Sequence, residues 1–247
     1  MLSILPLHGI PEVRSGDDVG GLIVSAAKAG PGIEAGDVLV VTQKIVSKAE
    51  GRVIPLDSVT PSAEAERLAA ETEKDPRLVE LILRESREVV RQRGPVLITE
   101  TKHGWVCANA GIDASNVGDE GTVCLLPEDS DRSASAIRDS LRESAGVDVA
   151  VIISDTFGRP FREGHTNVAI GIAGMSPFVD YVGQKDSFGY ELRVSTLAVA
   201  DELAAAAELV QNKLDDVPVT IVRGYDYPRG DGSARELVRD AENDLFR

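Results

Sequence analysis

The chain has 247 residues, with 41 Asp and Glu against 26 Lys and Arg, giving a formal net charge of −15. That acid excess excludes general electrostatic attraction to nucleic acid or an anionic membrane, while 43% hydrophobic residues suffice to bury a core. Two cysteines, Cys107 and Cys124, exclude a disulfide scaffold; no apolar run exceeds strand length and no leader pattern opens the chain, so a cytoplasmic protein is expected.

Met1–Leu7 reads as a short strand that breaks at Gly9 and Pro11. Asp17 or Asp18 caps a helix through Val19–Ala29, ended by Gly30-Pro31-Gly32, and Val38–Val41 follows as a buried strand. Thr42–Arg52 is a polar, lysine-bearing segment. Ser62–Thr72 reads as a helix, and Asp75-Pro76 starts another that is expected to run to about Arg91, with Leu78, Leu81 and Ile82 at helical spacing. Val96–Thr99 and Trp105–Ala108 form a hairpin, and Thr122–Leu126 is a further strand. Ser133–Ala145 is a helix stopped by Gly146, followed by Val149–Ile153, the most apolar strand of the chain. A glycine-rich region, Ser154–Gly189, precedes a helix at Ala198–Lys213, a strand at Val217–Val222 and a final amphipathic helix at Ser233–Asn243. Hairpins mixed with strand–helix units predict an α+β fold with mixed or antiparallel sheets and flanking helices.

Two polar clusters follow strands. Asn109–Asn116 packs a carboxylate, two amides and a hydroxyl around Gly111, and Ser154–His165 offers Asp155 and Thr156, then Arg159 and Arg162. Hard divalent cations take such oxygens, so Asp113 and Asp155 converging on one ion is one reading, with Arg159 and Arg162 as anion partners. Turn residues bonding their own backbone is the other. Lys44 and Lys48, four apart, suit either phosphate or solvent. No P-loop or dinucleotide fingerprint occurs, and His8, His103 and His165 lack zinc spacing. These residues alone reach no further than a metal-and-anion site of unknown reaction, which a metal-dependent phosphohydrolase or a noncatalytic binding protein would also present.

The same segments closely resemble the coenzyme F420-0:L-glutamate ligase (F420 γ-glutamyl ligase) family. The likeness runs from Gly9-Ile10-Pro11 through Ser47–Arg52, an unchanged Asn109–Asn116, Ser154–Arg162, Val168–Gly171 and Gly183–Leu192 to Val222-Arg223-Gly224. It implies a single ligase domain over residues 1–247 built of two interleaved subdomains, no C-terminal nitroreductase-like domain, and a homodimer. It further implies a reaction in which GTP, with Mg²⁺ or Mn²⁺ in two sites, activates the lactyl carboxylate of F420-0 as an acyl phosphate for attack by L-glutamate. Further γ-linked glutamates can follow, and a role for K⁺ stays open. By position, Asp113, Asp155 and Thr156 resemble the metal ligands, Thr156 for the second ion. Ile10, Pro11, Glu12, Val13, Gln43, Lys48 and Asn116 resemble the nucleotide contacts. In one departure, Gln211-Asn212 stands where relatives commonly carry Met-Gly, followed by Lys213. That change bears on second-metal coordination and nucleotide preference.

Overall fold

A computed structural model describes residues 1–115, 117, 118 and 120–245. The chain opens with strand β1 (Ser3–Leu7), helix α1 (Val19–Ala29) and strand β2 (Val38–Thr42), followed by helix α2 (Gln43–Ala49) and strand β3 (Val53–Pro55). Helices α3 (Ala63–Thr72) and α4 (Pro76–Glu85) lead into strands β4 (Ser86–Arg93), β5 (Val96–Thr101), β6 (Val106–Ala108) and β7 (Thr122–Cys124). Helix α5 (Ser130–Ala145) precedes the long strands β8 (Ala150–Arg159) and β9 (Arg162–Ala173), then the short strands β10 (Val179–Asp180) and β11 (Thr196–Leu197). Helix α6 (Val199–Gln211) and strand β12 (Val219–Arg223) complete the regular elements, with 3-10 turns after them. The mixture is α+β, as the sequence predicts.

The central sheet has the order β1-β12-β2-β8-β9. Only β2 and β8 run parallel; the other pairs are antiparallel. Val38–Val41 and Ala150–Ile153 are buried throughout, because both faces of these middle strands are covered, and they anchor the main core with α1, α5 and α6. Residues 53–125 form a smaller unit with its own apolar clusters, built on the β3–β7 pair, the β4-β5-β6 sheet and helices α3 and α4. Arg52 joins the two units: it donates to the Leu126 carbonyl and pairs with Glu85 at the end of α4. Glu50, in the same run, accepts from the Glu128 amide and the Ser133 hydroxyl. Among the described residues no helix is long and apolar enough to cross a membrane.

Several elements differ from expectation. Helix α4 keeps its Asp75 cap, the side chain accepting from the Arg77 amide, but stops at Glu85 instead of near Arg91. From Ser86 the chain pairs with β5, where the β-branched Val89 and Val90 suit extended backbone. Part of the segment read only as polar is helix α2, which buries Ile45, Val46 and Ser47. Helix α5 starts three residues earlier than expected, capped by Asp129. Much of the glycine-rich region is the β8–β9 hairpin. The final helix is replaced by two 3-10 turns, Ala234–Leu237 and Ala241–Asn243, because only Ala234 among their residues is buried.

Gly171 shows why glycine stands in β9. A Cβ built there would lie 2.4 Å from the Ser130 carbonyl oxygen at the start of α5. Gly171→Ala is therefore expected to destabilise the fold by about 1–3 kcal/mol, read as a lower urea midpoint with an unchanged m-value. The Val222-Arg223-Gly224 motif also has a structural account. Arg223 grips the buried Asp37 carboxylate through two bonds, Nε to Oδ1 at 2.9 Å and Nη2 to Oδ2 at 2.7 Å, and ties the Gly32 carbonyl to β12.

Candidate active site

The parallel pair fixes where the site lies. Thr42 and Ser154 are the last register partners of the parallel β2–β8 ladder, at its C-terminal end, where crevices form beside parallel strands. A cavity of about 750 Å³ opens there. Gln43, Lys44 and Lys48 reach it from α2, Asp155 and Thr156 from β8, and Asn167 from β9. The turn Ile10–Val13 supplies another wall, residues 113–115 a third, and Glu208, Gln211, Asn212 and Lys213 at the end of α6 a fourth.

Asp113 is held by its backbone, which exchanges both hydrogen bonds with Cys124. The preceding Asn109, Ala110 and Gly111 all have positive φ, and a Cβ at Gly111 would press on Leu126 at 2.8 Å, so this bend needs a glycine. The Asp113 carboxylate accepts from Lys44 Nζ at 2.7 Å, the Ser115 amide at 2.7 Å and the Ser115 hydroxyl at 2.9 Å. Burial opposes its ionisation, but these donors together hold its carboxyl below the usual carboxylate range.

Asp155 is the opposite case. Burial pushes its carboxyl up to about 7, and the nearby Asp113 charge adds to the rise. The Thr156 amide at 2.8 Å and the charges of Lys44 and Lys213 offset only part of it. The site therefore holds one carboxylate that is readily ionised beside one that resists ionisation, an arrangement typical of functional sites.

The donor set fits a hard divalent cation. Two carboxylates and the Thr156 hydroxyl line one cavity, and the buried Ser154 Oγ beside them has no hydrogen-bond partner. Among the described residues no three His, Cys, Asp or Glu side chains converge as a metal cluster. Two carboxylates are nonetheless the complement that Mg²⁺ commonly uses when phosphate and water complete its octahedron.

Most of the sequence-predicted residues come together here: Ile10, Pro11, Glu12, Val13, Gln43, Lys48, Asp113, Asp155 and Thr156 all line the cavity. Lys48 bonds Glu12 at 2.5 Å, joining α2 to the Ile10–Val13 turn, and the Gln43 side-chain oxygen Oε1 accepts from Ser47 Oγ at 2.8 Å. Asn116 lies outside the described residues. Arg159 and Arg162 do not line the cavity; they pair across the far end of the β8–β9 hairpin, where Arg159 donates to the Glu163 carbonyl. Asn212, in the departure from the family pattern, has φ 47 and ψ 166, a conformation that favours glycine, and lines the cavity together with Gln211 and Lys213. Sequence reasoning left Ser154, Asn167 and Glu208 out of the site. Asn167 enters the site as the register partner of Thr156 across the β8–β9 hairpin, a pairing that no motif in the sequence marks.

A profile of the family described as F420-0:Gamma-glutamyl ligase matches residues 9–224. A protein of Methanothermobacter thermautotrophicus named Coenzyme F420:L-glutamate ligase is 49% identical over 250 residues, covering 100% of this chain and 99% of the relative. Its namesake in Methanopyrus kandleri is 47% identical, covering 100% and 98%. A third, from Methanocaldococcus jannaschii, is 46% identical over 216 residues, 87% of this chain and 86% of its own length. With most of the motif residues gathered around one cavity and identity near one half from end to end, the chain belongs to the F420-0:gamma-glutamyl ligase family and is an enzyme of the ligase class.

Proposed function

We propose that this enzyme joins L-glutamate to the lactyl carboxylate of coenzyme F420-0 at the expense of GTP, and can extend the product by γ-linked glutamates. The observation that carries the reading is the meeting of Asp113, Asp155 and Thr156 with the Ile10–Val13 turn, Gln43 and Lys48 in one cavity. A carboxylate is a poor acyl electrophile in water, so amide formation needs activation. The lactyl carboxylate oxygen attacks the γ-phosphorus and GDP leaves; the glutamate amine then attacks the acyl carbon, expels phosphate and gives up a proton. Lys48 and the Ile10–Val13 turn hold the nucleotide, with Gln43 and Asn116 as further contacts. Asp113, Asp155 and Thr156 hold Mg²⁺ or Mn²⁺, with Thr156 serving the second of two ions. The ions supply charge stabilisation for the transferred phosphoryl group. K⁺ is a candidate for a further supporting cation.

Arg159 and Arg162 stand off the cavity of their own chain, so their proposed catalytic role requires the β8–β9 hairpin to reach a second copy. A homodimer is accordingly proposed, and light scattering should give twice the 26.3 kDa chain mass.

The test is incubation with F420-0, GTP, Mn²⁺ and L-glutamate followed by mass spectrometry. One glutamyl unit gained per GDP and phosphate released supports the reading. Phosphate release without glutamylation would favour a phosphohydrolase, and neither event would favour binding alone.

A further inference from the structure

Among the residues that line the cavity, the structure assigns Asn167 as a positioning residue that fixes the Thr156 hydroxyl as an acceptor toward the cavity. This inference rests on the proposal that Thr156 contacts a cation. Asn167 is 3% exposed and sits directly opposite Thr156 across the β8–β9 ladder. Thr156 Oγ1 lies 2.7 Å from Asn167 Oδ1, and Asn167 Nδ2 donates to Glu208 Oε2 at 2.9 Å and to Gln211 Oε1 at 3.4 Å. Gln211 Nε2 in turn donates to the Val40 carbonyl at 3.2 Å.

The direction of every bond in this chain follows from its ends. A carboxylate and a peptide carbonyl only accept. Glu208 therefore demands the NH₂ side of Asn167, and Val40, by taking the NH₂ of Gln211, turns the Gln211 carbonyl oxygen toward Asn167 as well. Two independent acceptors thus orient the Asn167 amide the same way, and its oxygen must face Thr156. The single hydroxyl proton of Thr156 is committed to that oxygen, which leaves its lone pairs for the cavity that Thr156 lines. A freely rotating hydroxyl would point its proton into the cavity in part of its conformations and repel a cation. Such outer partners of a ligand typically change metal affinity by about 10–100-fold when removed.

The test measures Mn²⁺ binding to the purified full chain without nucleotide, by the EPR signal of free Mn²⁺. Thr156→Val and Asn167→Ala should each raise the dissociation constant by about 10–100-fold, and the double variant should be no weaker than Thr156→Val alone, because Asn167 acts through that hydroxyl. Gln211→Met, which keeps the Glu208 lock, should weaken binding less than Asn167→Ala. If Thr156→Val binds Mn²⁺ as the wild type does, the ligand reading itself fails. If Thr156→Val weakens binding but a folded Asn167→Ala does not, or if the two effects add, the positioning role of Asn167 is overturned and the ligand reading stands. Should Asn167→Ala fail to fold, Glu208→Leu on the half-buried end of α6 replaces it: weakened binding that vanishes in the Thr156→Val background supports the relay, and unchanged or additive binding overturns it.

Discussion

Asp155→Asn should abolish glutamyl transfer while making the metal-free protein more stable at alkaline pH. The sign follows from the folded-state carboxyl of Asp155, raised to about 7 chiefly by burial, against an ordinary value near 4 in the unfolded chain. Between those values the folded state holds a proton that the unfolded state has released, so this residue's contribution to stability falls as pH rises through the window. Above pH 7 the buried carboxylate costs on the order of 2–4 kcal/mol, which asparagine relieves while its oxygen still accepts from the Thr156 amide. Thermal melts in chelator should show the variant about 5–10 °C above wild type at pH 8 and little different at pH 4. A wild type whose chelated stability is flat between pH 5 and 8 would contradict the assignment. Under the proposed ligand role metal would reverse the balance, because binding would select the ionised carboxylate and release its proton. Mn²⁺ affinity should therefore climb about tenfold per pH unit below 7 and level off above it. In the variant that slope should vanish along with activity, a loss of at least about 10³ in kcat if the carboxylate serves the phosphoryl step.

That behaviour depends on features the sequence discloses unevenly. Asp113 and Asp155 stand out because each follows a strand and sits among turn-forming polar residues, and the resemblance assigns both to metal. Periodicity reads the buried strands and α1 well, since Val38–Val41 and Ala150–Ile153 are apolar on both faces and Gly30 stops the helix. It misreads Ser86–Arg93, where helix-compatible charges continue past Glu85 and only pairing with β5 makes the segment a strand. It also misses α2, whose lysines mask a buried stripe. The Asn167–Glu208–Gln211 network was not legible because its members lie 41 and 44 residues apart and meet only when α6 packs beside β9. Arg159 and Arg162 illustrate the reverse: adjacency to Asp155 in sequence suggested one site, but successive residues along an extended hairpin move about 3.3 Å each and leave the cavity behind.

GTP should bind the metal-stripped protein at least roughly 100-fold more weakly than the Mn²⁺-loaded one, and charge in the cavity is the reason. Among the described lining residues three lysines, Lys44, Lys48 and Lys213, face five acids, Glu12, Asp113, Asp155, Glu208 and Asp216. Lys44 is already engaged by Asp113 and Lys48 by Glu12. With a chain charge of −15 around it, this cavity repels a triphosphate unless divalent cations invert its sign. A single uncompensated like charge about 4 Å away costs up to ~4 kcal/mol at an effective dielectric of 20, so the loss on adding EDTA should exceed that from deleting any one lysine. Lys48→Ala sets that comparison. Removing one charged donor to phosphate should raise KM for GTP by about 10–100-fold, with a smaller change in kcat, since the contact is made in ground and transition states alike. Glu12→Gln, which releases Lys48 from its ion pair, should leave KM for GTP the same or lower it. Equal GTP affinity with and without metal, measured by calorimetry, would mean that the nucleotide phosphates lie away from the Asp113–Asp155 end of the cavity. An unchanged KM in Lys48→Ala would move them away from the Ile10–Val13 turn as well.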